Sequence, residues 1–247
     1  MLDEASARTE DGCGKSSVNS LLLFDFDGTI ALGDGPVLAY AAHVAASLGD
    51  QPGFVDGIRA TLAAADGASL DGYDAVRRAA IAQGADSGLL SAAYLASRAE
   101  LATAAAPITA PDGLADFLAA AAPAAERVLV TNAPAIRIGE ALEALGLTGL
   151  FDRIVTSARK PGGLVAFLAA LPADARVLSV GDIWHNDLAP AHARGHATAL
   201  IGGFPDGEAT PTYRAADFAT LIPQLEEWLR HEPAHLPTLT SPTPIEG

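Results

Sequence analysis

The sequence predicts an α/β protein: a doubly wound parallel sheet with an α-helical domain inserted after its first strand. Three observations carry this reading. Short continuous apolar runs recur along the chain, which suits strands buried on both faces and hence a parallel sheet covered by helices. Helix-length segments alternate with those runs. Between Pro36 and Ala104 the alternation stops, and apolar residues recur at helical spacing instead.

The first strand is read at Leu21-Leu22-Leu23-Phe24. Four apolar stripes follow: Val37, Tyr40, Val44, Leu48; Phe54, Ile58, Leu62; Tyr73, Val76, Ala80; and Leu90, Tyr94, Leu101. Gly49-Asp50, Asp66-Gly67 and Gly84 separate them, giving a bundle of about four helices. Gly33-Asp34-Gly35 and Pro107 to Pro111 are the expected hinges, so the helical cap is placed at 34–107 and the core at 18–33 and 108–231. In the core, strands are read at Val128–Val130, Arg153–Val155, Val177–Val180 and Ala199–Ile201. Helices are expected at 114–121, 135–145, 164–171, 187–194 and 221–229, with Gly146 and Gly195 as C-terminal caps. Residues 1–17 are polar and 232–247 are rich in proline and threonine, so both are read as tails.

Composition bounds the function. Half of the 247 residues are apolar and about a fifth are alanine, which excludes global disorder, collagen and coiled coil. No stretch approaches the roughly 20 apolar residues of a membrane span, and Met1-Leu2-Asp3-Glu4 lacks the basic start of a signal peptide. The single cysteine, Cys13, excludes an internal disulfide framework and a cysteine-cluster metal site. A reducing, cytoplasmic setting is expected. Thirty acids against 15 bases give a charge of −15, which argues against nucleic acid or anionic membrane as partner. A small anionic substrate would need a local cation. Nothing in the sequence speaks to oligomeric state.

Four polar clusters fall at successive strand ends, where open α/β sheets gather their ligands. The first is Asp25-Phe26-Asp27-Gly28-Thr29, with two carboxylates two residues apart and so able to face one space. The second is Thr131-Asn132, a hydroxyl followed by a turn with free backbone N–H groups. The third is Lys160-Pro161, in a chain with one other lysine, Lys15. The fourth is Gly181-Asp182, with Asp187 five residues on. Asp25, Asp27, Asp182 and Asp187 would bring four negative charges together and Lys160 one positive charge. Two carboxylates about 5 Å apart repel by roughly 3 kcal/mol at an effective dielectric of 20, so a further cation is required. All-oxygen ligands favour a hard ion, above all Mg²⁺.

In this order and at these strand ends, the clusters resemble the four signature motifs of the haloacid dehalogenase-like superfamily. The resemblance covers about residues 20 to 230. The helical insertion is similar to the family's type 1 cap, as in its phosphoglycolate-phosphatase-like members, over a Rossmann-like core. The resemblance implies that Asp25 is a nucleophile forming an aspartyl-phosphate, with Asp27 as general acid and then base. It implies that Thr131 and Asn132 hold phosphoryl oxygens, with Gly28, Thr29 and Lys160 also binding the substrate. Lys160 would neutralise charge on the transferring group. Mg²⁺ would sit on the Asp25 carboxylate, the Asp27 carbonyl oxygen and Asp182. Asp187 would either ligate the ion or orient Lys160 or a metal-bound water.

Asp27 selects among the family's chemistries. Its haloacid dehalogenases carry tyrosine there and need no Mg²⁺, and its phosphonate-cleaving members carry alanine with a cap lysine, absent here. The expected function is Mg²⁺-dependent hydrolysis of a small phosphorylated metabolite, the cap excluding bulky substrates. The alternatives are a sugar-phosphate mutase, disfavoured by Gly181 before Asp182, and a catalytically idle binding protein on the same scaffold. Other features carry bland readings. Gly12-Cys13-Gly14-Lys15-Ser16-Ser17 lacks the spacing and preceding strand of a phosphate loop. His192 and His196 are separated by a helix-ending Gly195, and Trp184 and His185 either touch the substrate or pack their loop. Tyr40, Arg59, Tyr73 and Tyr94 are cap residues that could meet substrate, although periodicity alone assigns the tyrosines to the cap core.

Overall fold

A computed structural model of the chain describes residues 20–64, 69–202 and 206–231. The stretch around Cys13 and Lys15, both expected tails and the Asp66-Gly67 break lie outside the described residues. Six parallel strands form one sheet: β1 (Ser20–Phe24), β2 (Glu126–Val130), β3 (Arg153–Val155), β4 (Arg176–Gly181), β5 (Ala197–Ile201) and β6 (Tyr213–Ala215). Their order is β3-β2-β1-β4-β5-β6. β1 is therefore central, and the chain winds away from it in both directions, which opens a crevice at its carboxyl end.

Each central strand alternates between two helical layers, as a pleated strand must. Leu22 and Phe24 of β1 pack with Leu129, Leu178 and Val180 against α5 (Leu114–Ala121), α6 (Ile138–Ala144) and α9 (Phe218–Arg230). Leu21 and Leu23 face the other way, with Val128, Val130 and Val177, against Leu164 and Leu168 of α7 (Gly162–Ala169) and Ala191 of α8 (Ala189–His192). These runs are apolar throughout because both faces are covered.

Between β1 and α5 lie α1 (Gly35–Ser47), α2 (Phe54–Ala64), α3 (Gly72–Ala82) and α4 (Ser87–Arg98). They enclose their own apolar cluster, including Tyr40, Val44, Phe54, Ile58, Val76 and Leu90. Asp71 and Asp86 cap α3 and α4 by accepting from the backbone N–H groups of Asp74 and Leu89. The two connections to the core pair with each other: Leu32 and Thr109 exchange backbone hydrogen bonds of 2.8 and 3.0 Å.

The structure differs from the sequence expectation at the sheet's margins. β3 is an edge strand with Arg153 and Ile154 exposed, not a strand buried on both faces. β6 is an additional strand at the opposite edge. The helix expected over 187–194 divides into a wide π-type turn, Trp184–Leu188, and the short α8. α9 begins at Phe218, where Asp217 caps it by accepting from Thr220 N, and it carries Pro223 within its length.

Candidate active site

Backbone hydrogen bonding carries the four clusters into one cleft. Asp25 N donates to Val180 O at 3.0 Å, extending the β1–β4 ladder by one residue and setting Asp25 beside Gly181-Asp182. Thr131 N donates to Val155 O, and Ala158 N donates back to Thr131 O, both at 2.9 Å, which draws the segment after β3 across the end of β2. Asn132 then fixes the lysine: its Oδ1 accepts from Lys160 N at 2.6 Å and its Nδ2 donates to Lys160 O at 3.3 Å.

At the floor, Lys160 Nζ lies 2.5 Å from Asp25 Oδ1 and 2.6 Å from Asp187 Oδ1, its side chain only 4% exposed. Burial lowers the pKa of this ammonium, but the two carboxylates more than reverse that and hold it above the ordinary lysine value. Asp187 is oriented from behind: Ile183 N donates to its Oδ2 at 3.0 Å, and Ser179 Oγ donates to its backbone carbonyl at 2.7 Å.

Two glycines make room for this cluster. A Cβ on Gly28 would lie 2.2 Å from Asp182 Oδ2, and φ at Gly28 is +82°, so the turn after β1 closes onto Asp182 only without a side chain. A Cβ on Gly181 would lie 2.4 Å from the Asp187 Cβ. Thr29 is buried beneath the acids, its Oγ1 3.4 Å from both Asp25 Oδ2 and Asp182 Oδ1. Gly28, Thr131 and Asn132 line the cleft. The Thr131 Oγ1 accepts from Ala133 N at 3.0 Å, leaving its hydroxyl proton to donate elsewhere.

Asp25, Asp182 and Asp187 can each present one oxygen such that all three lie within 4.8 Å of one another. Burial, reinforced by the charge of Asp25, raises the Asp182 carboxyl well above its ordinary range and Asp187 to about 7. A site that resists its own ionisation in this way fits a divalent cation, which would stabilise the deprotonated acids. The oxygen-only donor set suits Mg²⁺. The Asp27 carboxylate stands outside this group. It turns toward the helical insertion, where Arg98 Nη1 lies 2.9 Å from its Oδ1 and the Tyr73 hydroxyl donates to the same oxygen at 3.2 Å. Burial pushes the Asp27 carboxyl up, Arg98 restrains that rise, and Asp25 adds to it.

Arg98 was not among the residues singled out from the sequence. It is fully buried at the end of α4, and its Nε and Nη2 find no hydrogen-bond partner among the described residues. The available signal was its position one turn beyond Tyr94, on the same apolar face, where a charge must have a purpose. Of the other cap candidates, Tyr73 and Tyr94 line the cleft, Tyr40 packs against both with ring centroids 6.1 and 5.8 Å away, and Arg59 pairs with Asp56 on the exposed face of α2. Trp184 packs against His192 with ring centroids 5.2 Å apart and planes inclined at 58°.

A parallel sheet of order 3-2-1-4-5-6 with acids clustered at its switch point defines a doubly wound α/β protein with a ligand site at the strand ends. Comparison with solved structures specifies the fold further. A predicted phosphoglycolate phosphatase from Haemophilus somnus 129PT superposes with a TM-score of 0.59 at 18% identity, over 87% of this chain and 100% of that one. The HAD-hydrolase YfnB of Bacillus subtilis, solved bound to magnesium with interdomain movement, gives 0.55 at 19% identity, over 84% and 98%. A 2-haloacid dehalogenase from Pseudomonas syringae gives 0.51 at 20% identity, over 85% and 99%. The chain has the haloacid dehalogenase-like fold, with the helical insertion between β1 and α5. No protein-family model matches the sequence, and no curated protein matches it. Among the described residues no helix is long and apolar enough to cross a membrane.

Proposed function

We propose that the protein is a Mg²⁺-dependent phosphatase acting on a small phosphorylated metabolite. The observation that carries this reading is a pair of carboxylates with divided environments in one cleft. Asp25 is held by Lys160 beside Asp182, while Asp27, two residues on, is held apart by Arg98 and Tyr73. Two acids whose surroundings differ suit two roles, nucleophile and proton carrier.

In the first displacement an Asp25 carboxylate oxygen attacks phosphorus. The bond from phosphorus to the ester oxygen breaks, and Asp27 gives its proton to the departing alkoxide. The product alcohol leaves an aspartyl-phosphate on Asp25. In the second displacement Asp27, now ionised, takes a proton from water, whose oxygen attacks phosphorus and releases inorganic phosphate, restoring both acids. Burial raises the Asp27 carboxyl toward proton uptake, and Arg98 opposes that rise. Lys160 offsets charge on Asp25 and on the equatorial phosphoryl oxygens throughout, and the Thr131 hydroxyl has a proton free for one of those oxygens. Asp187 positions Lys160. Asp25, Asp182 and the Asp27 carbonyl oxygen would hold a Mg²⁺ ion, whose charge would offset that of the phosphoryl group.

Aspartate at position 27 favours this chemistry over dehalogenation, because displacing halide from carbon requires no proton donor on the leaving group. The helical insertion acts as a cap that restricts the cleft to small molecules. The test is phosphate release from a panel of phosphorylated sugars, glycolates, nucleotides and cofactors, with Mg²⁺, with excess chelator, and with Asp25→Asn. Release that requires both the metal and Asp25 is expected. Release that survives Asp25→Asn would overturn the mechanism.

A further inference from the structure

The cleft has two chemically distinct ends. Its floor carries the acids and Lys160, and its roof is the helical insertion. The cavity is about 320 Å³, at the small end of ligand sites. The roof is apolar and aromatic, formed by Pro36, Val37, Leu62 and the rings of Tyr73 and Tyr94, which meet edge-to-face at 5.7 Å.

Its charges all have one sign. Asp34 and Asp71 line the cleft from the side of the insertion, and Lys160 is the one basic residue lining it among the described residues. Lys160 is already shared between Asp25 and Asp187. Arg98 is the buried cation of the insertion, but it does not line the cleft. Nη1 is committed to Asp27 and the Tyr73 hydroxyl, and its remaining nitrogens are buried where a ligand does not reach them. The exposed Arg59 and Arg77 are paired with Asp56 and Asp74 on the outer surface.

A phosphoryl group at the floor would be matched by Lys160 and a divalent ion. The remainder of the substrate projects toward the roof and meets two carboxylates, two phenol rings and aliphatic carbon, with no cation among the described residues to receive an anionic group. We propose that the enzyme selects phosphate monoesters whose leaving alcohol carries no negative charge, its apolar or ring surface resting on Tyr73 and Tyr94, and that it rejects esters bearing a carboxylate or second phosphate. The selection is by repulsion as much as by contact. This rests on the phosphatase reading for the position of the phosphoryl group, and it separates this cleft from one built for phosphoglycolate.

The test uses esters matched in size but not in charge: ethylene glycol phosphate, phosphoethanolamine and phosphoglycolate, then phenyl phosphate against para-carboxyphenyl phosphate, all with Mg²⁺. The anionic member of each set should show kcat/KM at least about tenfold lower, as expected for a like charge placed near a partly screened carboxylate. Asp71→Asn, which keeps an oxygen to cap α3, should narrow that gap several-fold. In parallel, calorimetry compares binding of hydroxyethylphosphonate and phosphonoacetate to the intact protein with Mg²⁺, and hydroxyethylphosphonate should bind more tightly. Phosphoglycolate turned over as well as ethylene glycol phosphate, or phosphonoacetate bound as tightly as its neutral counterpart, would overturn the inference. The expected binding order without turnover of any ester would refute the phosphatase reading and uphold the charge selection.

Discussion

Arg98 Nη1 sits 2.9 Å from Asp27 Oδ1, joining the last residue of the fourth inserted helix to the turn after the first strand. The arginine is wholly buried and the aspartate side chain is 27% exposed. The carboxylate proposed to move protons is therefore positioned by the insertion as well as by its own strand. Burial works against the Arg98 charge, but Asp27 and the neighbouring phenols more than offset this and hold the guanidinium above its usual value.

Removing the cation should accordingly cost both fold and activity. Arg98→Met is expected to lose about 3 kcal/mol in a urea titration, since it leaves a partly buried carboxylate unpaired. It should also lower kcat by at least about tenfold. Arg98→Lys should recover part of each, because an ammonium restores the charge but not the planar donor geometry. Equal losses for the two variants would mean that charge is irrelevant at this position.

The proton-carrier role of Asp27 has its own signature. Asp27→Asn should reduce turnover of alkyl phosphates by roughly 10²–10⁴-fold. It should reduce turnover of para-nitrophenyl phosphate far less, because that leaving group departs without a proton. A uniform loss across leaving groups would assign Asp27 a different role.

The packing of the acids predicts two intolerant glycines. Gly28→Ala and Gly181→Ala would drive a methyl group into Asp182 and into Asp187. Each should cost roughly 1–3 kcal/mol of stability, measured by chemical denaturation, and impair activity more than Gly139→Ala, where nothing lies within 4 Å. A Gly28→Ala protein with normal activity would contradict the close approach described here.

Three of the four strand-end clusters were legible in the sequence because each follows a continuous apolar run of a covered strand, whereas Lys160 follows the exposed edge strand β3. Leu21–Phe24 leads to Asp25, and Val177–Val180 leads to Gly181-Asp182. The four inserted helices were legible from apolar stripes at helical spacing. The margins were not. β6 is three residues long, with Arg214 exposed between two half-buried neighbours, and it offers no apolar run. The first turn of α9 was not legible: the apolar period places its start at Leu221, whereas the Asp217 cap starts it at Phe218. Arg98 was obscured because its partner is distant in sequence: 71 residues separate it from Asp27, and periodicity reports only which face is buried.

The metal prediction carries a pH sign. Burial and the Asp25 charge raise both Asp182 and Asp187, the latter to about 7, above the ordinary 3.8. Between about pH 4 and pH 7 these two acids thus bind more protons in the folded chain than in the unfolded one, so their contribution to stability, full below about pH 4, falls as pH rises through that window. A cation that binds the ionised acids opposes this loss. The rise in Tm on adding Mg²⁺ should therefore be larger near pH 7.5 than near pH 5, and Asp182→Asn should abolish most of it. A Mg²⁺ effect independent of pH would argue against ion binding at these carboxylates.

The central claim is that Asp25 carries the phosphoryl group between the two displacements. Rapid acid quenching during turnover of a radiolabelled phosphate ester, followed by peptide mapping, tests it most directly. The account predicts a transient label on the peptide containing Asp25, released by hydroxylamine and absent from Asp25→Asn. Steady turnover with no labelled protein at any quench time, or label on another residue, would contradict it.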